Sequence, residues 1–341
     1  MDKKRIKGFN NQRKEGGVMK ARAVKVISLT LLAILITSSS WAKDDYPNKP
    51  IQFICPFAVG GITDLAARIV AEHMGKYVGQ PLIVVNKPGA ASTMGTAFVA
   101  ASKPDGYTIL TTWIVLVLAP LIMPDLPYKL SDLTPIGKSV SADQIFLVNK
   151  DLPVKTLPEL VAYAKQHPKT LSYGTAGVGT LPHLVMEMFN AHVHTDIQHI
   201  PYNSELQSVT ALVGNHVQVS VLTYASSESH IRSGAIRPLA ILASKRDPRL
   251  PQVPTSAEQG YPEFLANIYN VLLAPAKTPA PIIKKLEDAL QKTLQDKDAR
   301  EKLEKMEYKI DFMNSKDTQV FLDAETKRWA PVVKQANIVV K

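Results

Sequence analysis

From residue 51 onward the chain alternates short apolar runs with segments whose apolar residues recur every three or four positions. The first kind of pattern fits strands buried on both faces, the second amphipathic helices. Residues 51–57 read as a buried strand, followed by Gly60-Gly61 and a helical period through Leu65, Ile69, Val70, Met74 and Tyr77 that Thr63 or Asp64 would cap. Leu82 to Val85 reads as a strand, 88–93 as a turn and Met94 to Ser102 as a short helix. Pro104-Asp105-Gly106 turns the chain into a strand from Tyr107 to Thr111. Strand, helix, strand, helix, strand is the order of a parallel α/β sheet.

The middle repeats the style. Phe146 to Val148 is a predicted strand, and Thr156-Leu157-Pro158-Glu159 is a capping box opening a helix to His167. Leu171 to Tyr173 is extended, Leu181 to His194 helical, Ile197 to Ile200 extended and Leu206 to Val213 helical, with further strands at Val217 to Leu222 and Pro238 to Leu242. Pro248, Pro251, Pro254 and Pro262 mark an irregular connection to a strand at Ile268 to Leu273. Helices rich in Lys and Glu follow at Pro279 to Gln295, Asp298 to Met306 and Ser315 to Ala336. No repeat or low-complexity segment is visible.

Composition excludes disordered, collagenous and disulfide-scaffold classes: 45% of the 341 residues are apolar and there is one cysteine. The length predicts about two domains. The formal charge of +10 invites a nucleic-acid reading, but its location removes it. Residues 1–42 hold nine Lys or Arg against Asp2 and Glu15, which leaves only +3 for the other 299 residues. Lys20, Arg22 and Lys25 precede the apolar run Val26 to Ile36, and Ser40-Trp41-Ala42 follows with small residues at −3 and −1. This is the layout of a cleavable secretory signal, with cleavage expected after Ala42 and a true start at Met19. The run is too short for a membrane span, which needs about 20 residues. Cys55 lies within an apolar strand and is expected to be a buried core thiol.

Three glycine-rich segments, 58–64, 88–95 and 174–183, each follow a predicted strand and precede a predicted helix. Such loops gather at the carboxyl ends of a parallel sheet, where ligands bind. There, backbone N–H groups and the positive end of a helix make an anion site without Lys or Arg. None matches a Walker loop or a GxGxxG fingerprint, and no GxSxG elbow is present. Asp64 reads equally as a helix cap and as a ligand for an amine or hydroxyl. His192, His194 and His199 fit no zinc spacing and are expected to be exposed or capping; His183, at a helix start behind a glycine loop, is a candidate to face a ligand. Neither a metal nor a cofactor is expected. Trp329 and Phe321 read as core positions of the last helix.

As a whole the mature chain resembles the substrate-binding receptors of tripartite tricarboxylate transporters, the Bug (TctC-like) family. The residues that carry the resemblance begin with Tyr46-Pro47-Asn48-Lys49-Pro50-Ile51, Pro56-Phe57-Ala58-Val59-Gly60-Gly61 with Asp64 and Arg68, and Asn86-Lys87-Pro88-Gly89-Ala90 with Gly95. They continue through Pro104 to Thr108, Tyr173-Gly174 to His183 and Pro201-Tyr202, and end with Leu250 to Thr255, Glu258, Gly260, Ala274-Pro275 and Thr278-Pro279. The resemblance implies an α/β chain of the type II periplasmic-binding-protein fold: two α/β lobes joined by two crossover strands with a ligand cleft between. The expected lobes are 43–142 plus 266–341, and 143–265. It also implies a receptor, not an enzyme, that captures a small carboxylate in the periplasm by hinge closure. The carboxylate would be a di- or tricarboxylate, an amino acid or an aromatic acid. The partners would be the membrane components of a transporter, or a sensor, with no nucleic acid and a monomeric state.

The ligand-binding residues expected on this basis are Phe57, Ala58, Gly60, Gly61, Thr63 and Asp64 in the first loop and Gly89, Ala90, Ala91, Ser92 and Thr93 in the second. Thr112 and Trp113 follow the third strand. Thr175, Ala176, Gly177, Thr180, His183, Tyr202 and Asn203 belong to the opposite lobe. The chain departs from the family at Ala91-Ser92-Thr93, at Asn203-Ser204 where Lys-Gly is usual, at Gln218 where Asp is common, and at the bulky Trp113-Ile114-Val115-Leu116. The lost lysine and added bulk predict a ligand with an apolar or aromatic part. The rival readings are a secreted hydrolase using Ser92 or Thr180 with His183, and the effector lobe of a transcription regulator. The leader and the lack of a helix-turn-helix segment argue against the regulator.

Overall fold

The chain is described by a computed structural model over residues 46–340. The expected leader, its cleavage after Ala42 and the start at Met19 lie outside the described residues. Among the described residues no helix is long and apolar enough to cross a membrane.

The first apolar run forms β1 (Ile51–Cys55), with β2 (Leu82–Asn86) and β3 (Thr108–Trp113) parallel on either side of it. Between them run α1 (Ile62–Val78) and, after a short turn of 3-10 helix, α2 (Thr93–Ala100). The pattern recurs in the middle of the chain. There β5 (Ser172–Thr175) lies between β6 (Gln198–Pro201) and β7 (Val219–Thr223), with α5 (Leu181–Val193) and α6 (Glu205–Val213) as the crossovers. The order β2-β1-β3 reverses direction at β1/β3, and the order β6-β5-β7 reverses at β5/β7. Each half therefore has a switch point where crossover helices leave to opposite faces, the place where open α/β sheets bind ligands.

The two halves are joined by β4 (Leu133–Asn149) and β9 (Asn267–Pro275). Residues 133–143 of β4 pair antiparallel with β9, and residues 144–148 pair with β7. The far end of β4 also carries β8 (Ile236–Ile241), and its near end carries β10 (Lys309–Met313). At the crossing the Gln144 amide donates to the Ala266 carbonyl, the Ala266 amide to Leu242 and the Leu242 amide to Gln144, all at 2.8–2.9 Å. These three backbone bonds form a closed ring where the halves meet.

The remaining helices are α3 (Val115–Ile122), α4 (Leu157–Gln166), α7 (Tyr224–Arg232), α8 (Ala280–Gln295), α9 (Lys297–Lys305) and α10 (Ser315–Ala336). Half of the expected capping box forms: Thr156 Oγ1 accepts from the Glu159 amide at 3.2 Å, while the Glu159 carboxylate accepts the Lys155 amide at 2.6 Å, one residue short of the cap. Trp329 is fully buried, and its indole N–H donates to Glu325 at 3.1 Å. Cys55 is a buried free thiol, and burial pushes its pKa up to about 11.

Three features differ from the pattern-based reading. The strand predicted at 146–148 is 17 residues long, because polar Lys138, Ser139 and Ser141 are buried inside the sheet. Lys138 tolerates burial by pairing with Asp311 at 2.6 Å. The polar sequence 224–232 is helix α7, and β10 is a strand that only its pairing with β4 reveals.

Candidate functional site

The loops after β1 and β2 are built against each other. A Cβ on Gly95 of α2 would stand 2.7 Å from Pro56 Cβ and 2.9 Å from the Lys87 carbonyl, so only glycine allows this approach. Asn86 ties the loops together: its amide group donates to the Phe57 carbonyl at 3.0 Å and to Asp64 Oδ1 at 2.8 Å. Asp64, 1% exposed, also accepts the Gly60 amide and Arg68 Nε at 2.9 Å each. Burial by itself would raise this carboxyl's pKa; the bonds from Arg68, Gly60 and Asn86 outweigh it and hold the group below its ordinary value. Asp64 is thus the acceptor that shapes the first loop from inside. The cap position of α1 is Gly61, and no side chain closes that helix end.

In the second loop Gly89 (φ 132°) leads into Ala90, Ala91 and Ser92 with φ of 45°, 49° and 73°. Three successive left-handed residues, none of them glycine, cost about 1–2 kcal/mol each. Such strain persists where the surroundings over-determine it, commonly at ligand clamps. Thr93 Oγ1 bonds the Ala90 carbonyl at 2.8 Å and Thr96 Oγ1 the Ser92 carbonyl at 3.0 Å, which leaves the N-terminus of α2 without a side-chain cap. Ser92 and Thr93 are buried, whereas Gly89, Ala90 and Ala91 present exposed backbone, as do Ala58, Gly60 and Gly61. Phe57 and Thr63 are half-buried beside them.

Thr112 and Trp113 end β3 on the other side of the switch point. Thr112 is fully buried and its hydroxyl has no hydrogen-bond partner. Trp113 packs against Tyr308, ring centroids 5.1 Å apart. Ile114 and Leu116 are core residues, 6% and 1% exposed, so their bulk fills the interior.

The third loop, after β5, is held by its own hydroxyls. Thr175 Oγ1 donates to the Gly177 carbonyl and meets His199 Nε2 at 2.7 Å; Thr180 Oγ1 also donates to Gly177 at 2.8 Å. His183 is 7% exposed, its Nδ1 accepts the Gly179 amide at 3.0 Å, and its ring stacks on His199 at 3.9 Å, with Tyr173 stacked beyond. Burial lowers both imidazoles to about 4, so they are neutral. His183 therefore holds the loop from behind. His199, expected exposed or capping, is instead half-buried in this stack, while His194 caps α5 and His192 pairs with Glu263. The hydroxyl of Thr180 is engaged with a carbonyl, not an imidazole. Ala176 and Gly177 are half-buried; Tyr202 lies beside them with its amide on the Thr175 carbonyl, and Asn203 is exposed, its amide on Gln207. Gly179 (φ 78°) faces Ile122 and Val340, so this loop lies at the boundary with the other half of the chain. Among the described residues no hydrogen bond joins the third loop to the first two.

A group that sequence reasoning missed sits at the second switch point. Glu205 accepts the Thr223 amide, the Thr223 hydroxyl and the Ser226 hydroxyl at 2.7–3.2 Å, so an internal carboxylate already occupies the start of α7. The signal, an acid just after Tyr202, was visible, but its target is 18 residues on. By contrast α1, α2 and α5 start behind the glycine loops with no side-chain cap, while α4, α6, α9 and α10 are each closed by their own N-cap residue. Helices α3 and α8 also lack a cap, but no glycine loop precedes them.

Residues 66–338 match the model of the tripartite tricarboxylate transporter family receptor. The chain belongs to that family. The receptor is 34% identical to BugT of Bordetella pertussis over 92% of this chain and 98% of the relative. Among solved structures it is similar to MatC from Rhodopseudomonas palustris with bound malate, at 29% identity and TM-score 0.69, covering 84% of this chain and all of that one. It is also similar to R. palustris Rpa4515 with adipate, at 29% identity and TM-score 0.73, covering 86% and 99%. These likenesses establish the two-lobed α/β binding-protein fold and place the receptor among solute-binding proteins.

Proposed function

We propose that this receptor captures a small carboxylate in the periplasm and delivers it, as a monomer, to the membrane components of a tripartite tricarboxylate transporter. Loops 58–64 and 88–95, with Thr112 and Trp113, form one lip of the site on the lobe 43–142 plus 266–341. Loop 174–183, with Tyr202 and Asn203, forms the other on the lobe 143–265. The lips close by rotation about the crossing of β4 and β9. A leader removed after Ala42 directs the chain to that compartment.

The observation that carries this reading is the set of three uncapped helix starts behind glycine loops. Each offers backbone N–H groups and about half a positive charge to an anion, with no side-chain cation required. Arg68, the cation nearest the first loop, is already bound to Asp64 and Asn86. The relatives solved with malate and adipate support a dicarboxylate. Val59, Ile62 and Met94 around the first two loops and Val178 in the third are 48–72% exposed. Apolar lips favour a ligand with a methylene chain between its charged ends, adipate-like more than citrate-like.

Thermal unfolding against a panel of di- and tricarboxylates, amino acids and aromatic acids tests this. A ligand at about 100 times its Kd adds about 2.7 kcal/mol to stability. The expected result is a rise in Tm confined to small carboxylates and largest for flexible dicarboxylates. No shift with any acid, together with native mass spectrometry showing no copurified ligand, refutes the proposal.

A further inference from the structure

Far from the glycine loops, the second half of α1 carries a buried histidine among three carboxylates. His73 is 0% exposed, and neither ring nitrogen makes a hydrogen bond. Nε2 nevertheless lies 3.2 Å from Asp298 Oδ2 and 3.9 Å from Glu72 Oε1, and Nδ1 lies 3.2 Å from Asp296 Oδ1. These are close approaches with poor alignment for an N–H donor. Ligand atoms of Glu72, His73 and Asp298 all fall within 4.8 Å of one another. From this geometry we infer a divalent-cation site of the zinc type, with Glu72, His73 and Asp298 as ligands and Asp296 orienting the imidazole.

The chemistry of each group fits its role. Metal–ligand bonds of about 2.0 Å in a tetrahedron place neighbouring ligand atoms roughly 3.3 Å apart, close to the His73–Asp298 separation. Glu72 is 55% exposed and needs only a side-chain rotation to close the remaining gap. Asp296 is fixed by the Ala299 amide at 3.0 Å and the Tyr77 hydroxyl at 2.8 Å. With a small turn of the ring, a carboxylate fixed 3.2 Å from Nδ1 would accept its N–H and leave the Nε2 lone pair for a cation, as outer-sphere carboxylates do at metal-bound histidines. One nitrogen and two oxygen donors select a borderline ion over magnesium or calcium, which take oxygen alone.

The same place already attracts a cation from within the chain. Lys302 Nζ stands 2.7 Å from Asp298 and 3.7 Å from Glu72. Its side chain is 39% exposed and can swing away. The ammonium is therefore the internal competitor of the metal. His73 lies nine residues beyond Asp64, about 14 Å along the helix, so the site is separate from the carboxylate cleft. Because Asp298 stands in the first turn of α9, a bound ion would staple α9 to α1.

The test is titration of the purified receptor, after chelator treatment, with Zn(II) and with Co(II) as a spectroscopic substitute. Magnesium serves as the control. Expected are a Tm rise specific to Zn(II) and four-coordinate Co(II) absorption in the visible. Binding should weaken tenfold or more in Asp298→Asn, an exposed change that leaves the fold intact by circular dichroism. It should tighten several-fold in Lys302→Met, where no ammonium must be displaced. Equal Zn(II) binding by Asp298→Asn would assign the effect to surface histidines and overturn the inference. Absence of binding by the unmodified receptor would overturn it too.

Discussion

Asp64 offers the sharpest test of how the site is built. Its carboxylate is buried and every partner is a donor: the Gly60 amide, the Asn86 amide group and the Arg68 guanidinium. Asparagine has the same shape but replaces one acceptor with an N–H₂, which must face another donor at under 3 Å. Asp64→Asn should therefore be nearly as harmful as Asp64→Ala. Arg68 is 46% exposed, so its ion pair is screened and is left out of the sum. The two bonds from Gly60 and Asn86 to a charged acceptor contribute about 1.5 kcal/mol each, or about 3 kcal/mol together. For a chain of this size that lowers Tm by roughly 5 °C. Urea unfolding of the three proteins measures it, with the m-value expected to stay constant. The sign with pH follows from the lowered pKa. The contribution is complete above the unfolded-state value near 4 and is lost as pH falls through the lower folded value. Both variants should lack that part of the acid loss. If Asp64→Asn keeps wild-type stability and loses only ligand affinity, the carboxylate is a ligand group and the hub reading is wrong.

Gly95→Ala should push α2 off Pro56 and destabilise by about 1–3 kcal/mol, with carboxylate affinity falling in the same variant; calorimetric titration and urea unfolding would show both. The neutral His183–His199 stack has pKa values of about 4, below the unfolded value near 6.5, so its stability is complete above pH 6.5 and is lost as pH falls towards 4. For the buried His183 this amounts to about 3 kcal/mol, and unfolding midpoints from pH 7 to 4 would reveal a loss that His183→Gln flattens. Cys55, with its pKa near 11 and no exposed surface, should resist thiol reagents at pH 8 until denaturant is added; rapid labelling of the native chain would contradict its burial.

Much of this arrangement was legible because its signals are local. The periodicity marks α1 and α10, Thr156 and Glu159 mark the start of α4, and the glycine loops fall where strand gives way to helix. What escaped depends on distant partners. Lys138 reads as a surface residue until Asp311 arrives, and β10 has no partner until β4 passes beside it. The role of Asp64 was open because Asn86, 22 residues away, decides it. The left-handed run Ala90-Ala91-Ser92 carries no glycine to announce it. In Trp113 to Leu116 the bulk divides in a way no local signal shows: Ile114 and Leu116 point into the core, while Trp113 ends β3 against Tyr308.

The ring of backbone bonds among Gln144, Leu242 and Ala266 has a mechanical consequence. Atoms on a rotation axis travel least, so if the proposed closure turns one half about this ring, all three bonds would pass through it unbroken. Away from the ring, the side chains that cross between the halves, such as Ile122 and Val340 against Gly179, would set the resistance to such a swing. A joint of that kind stores little energy of its own. In the proposed closure, the balance between open and shut forms would then rest on those crossing contacts and on the free energy a bound ligand contributes.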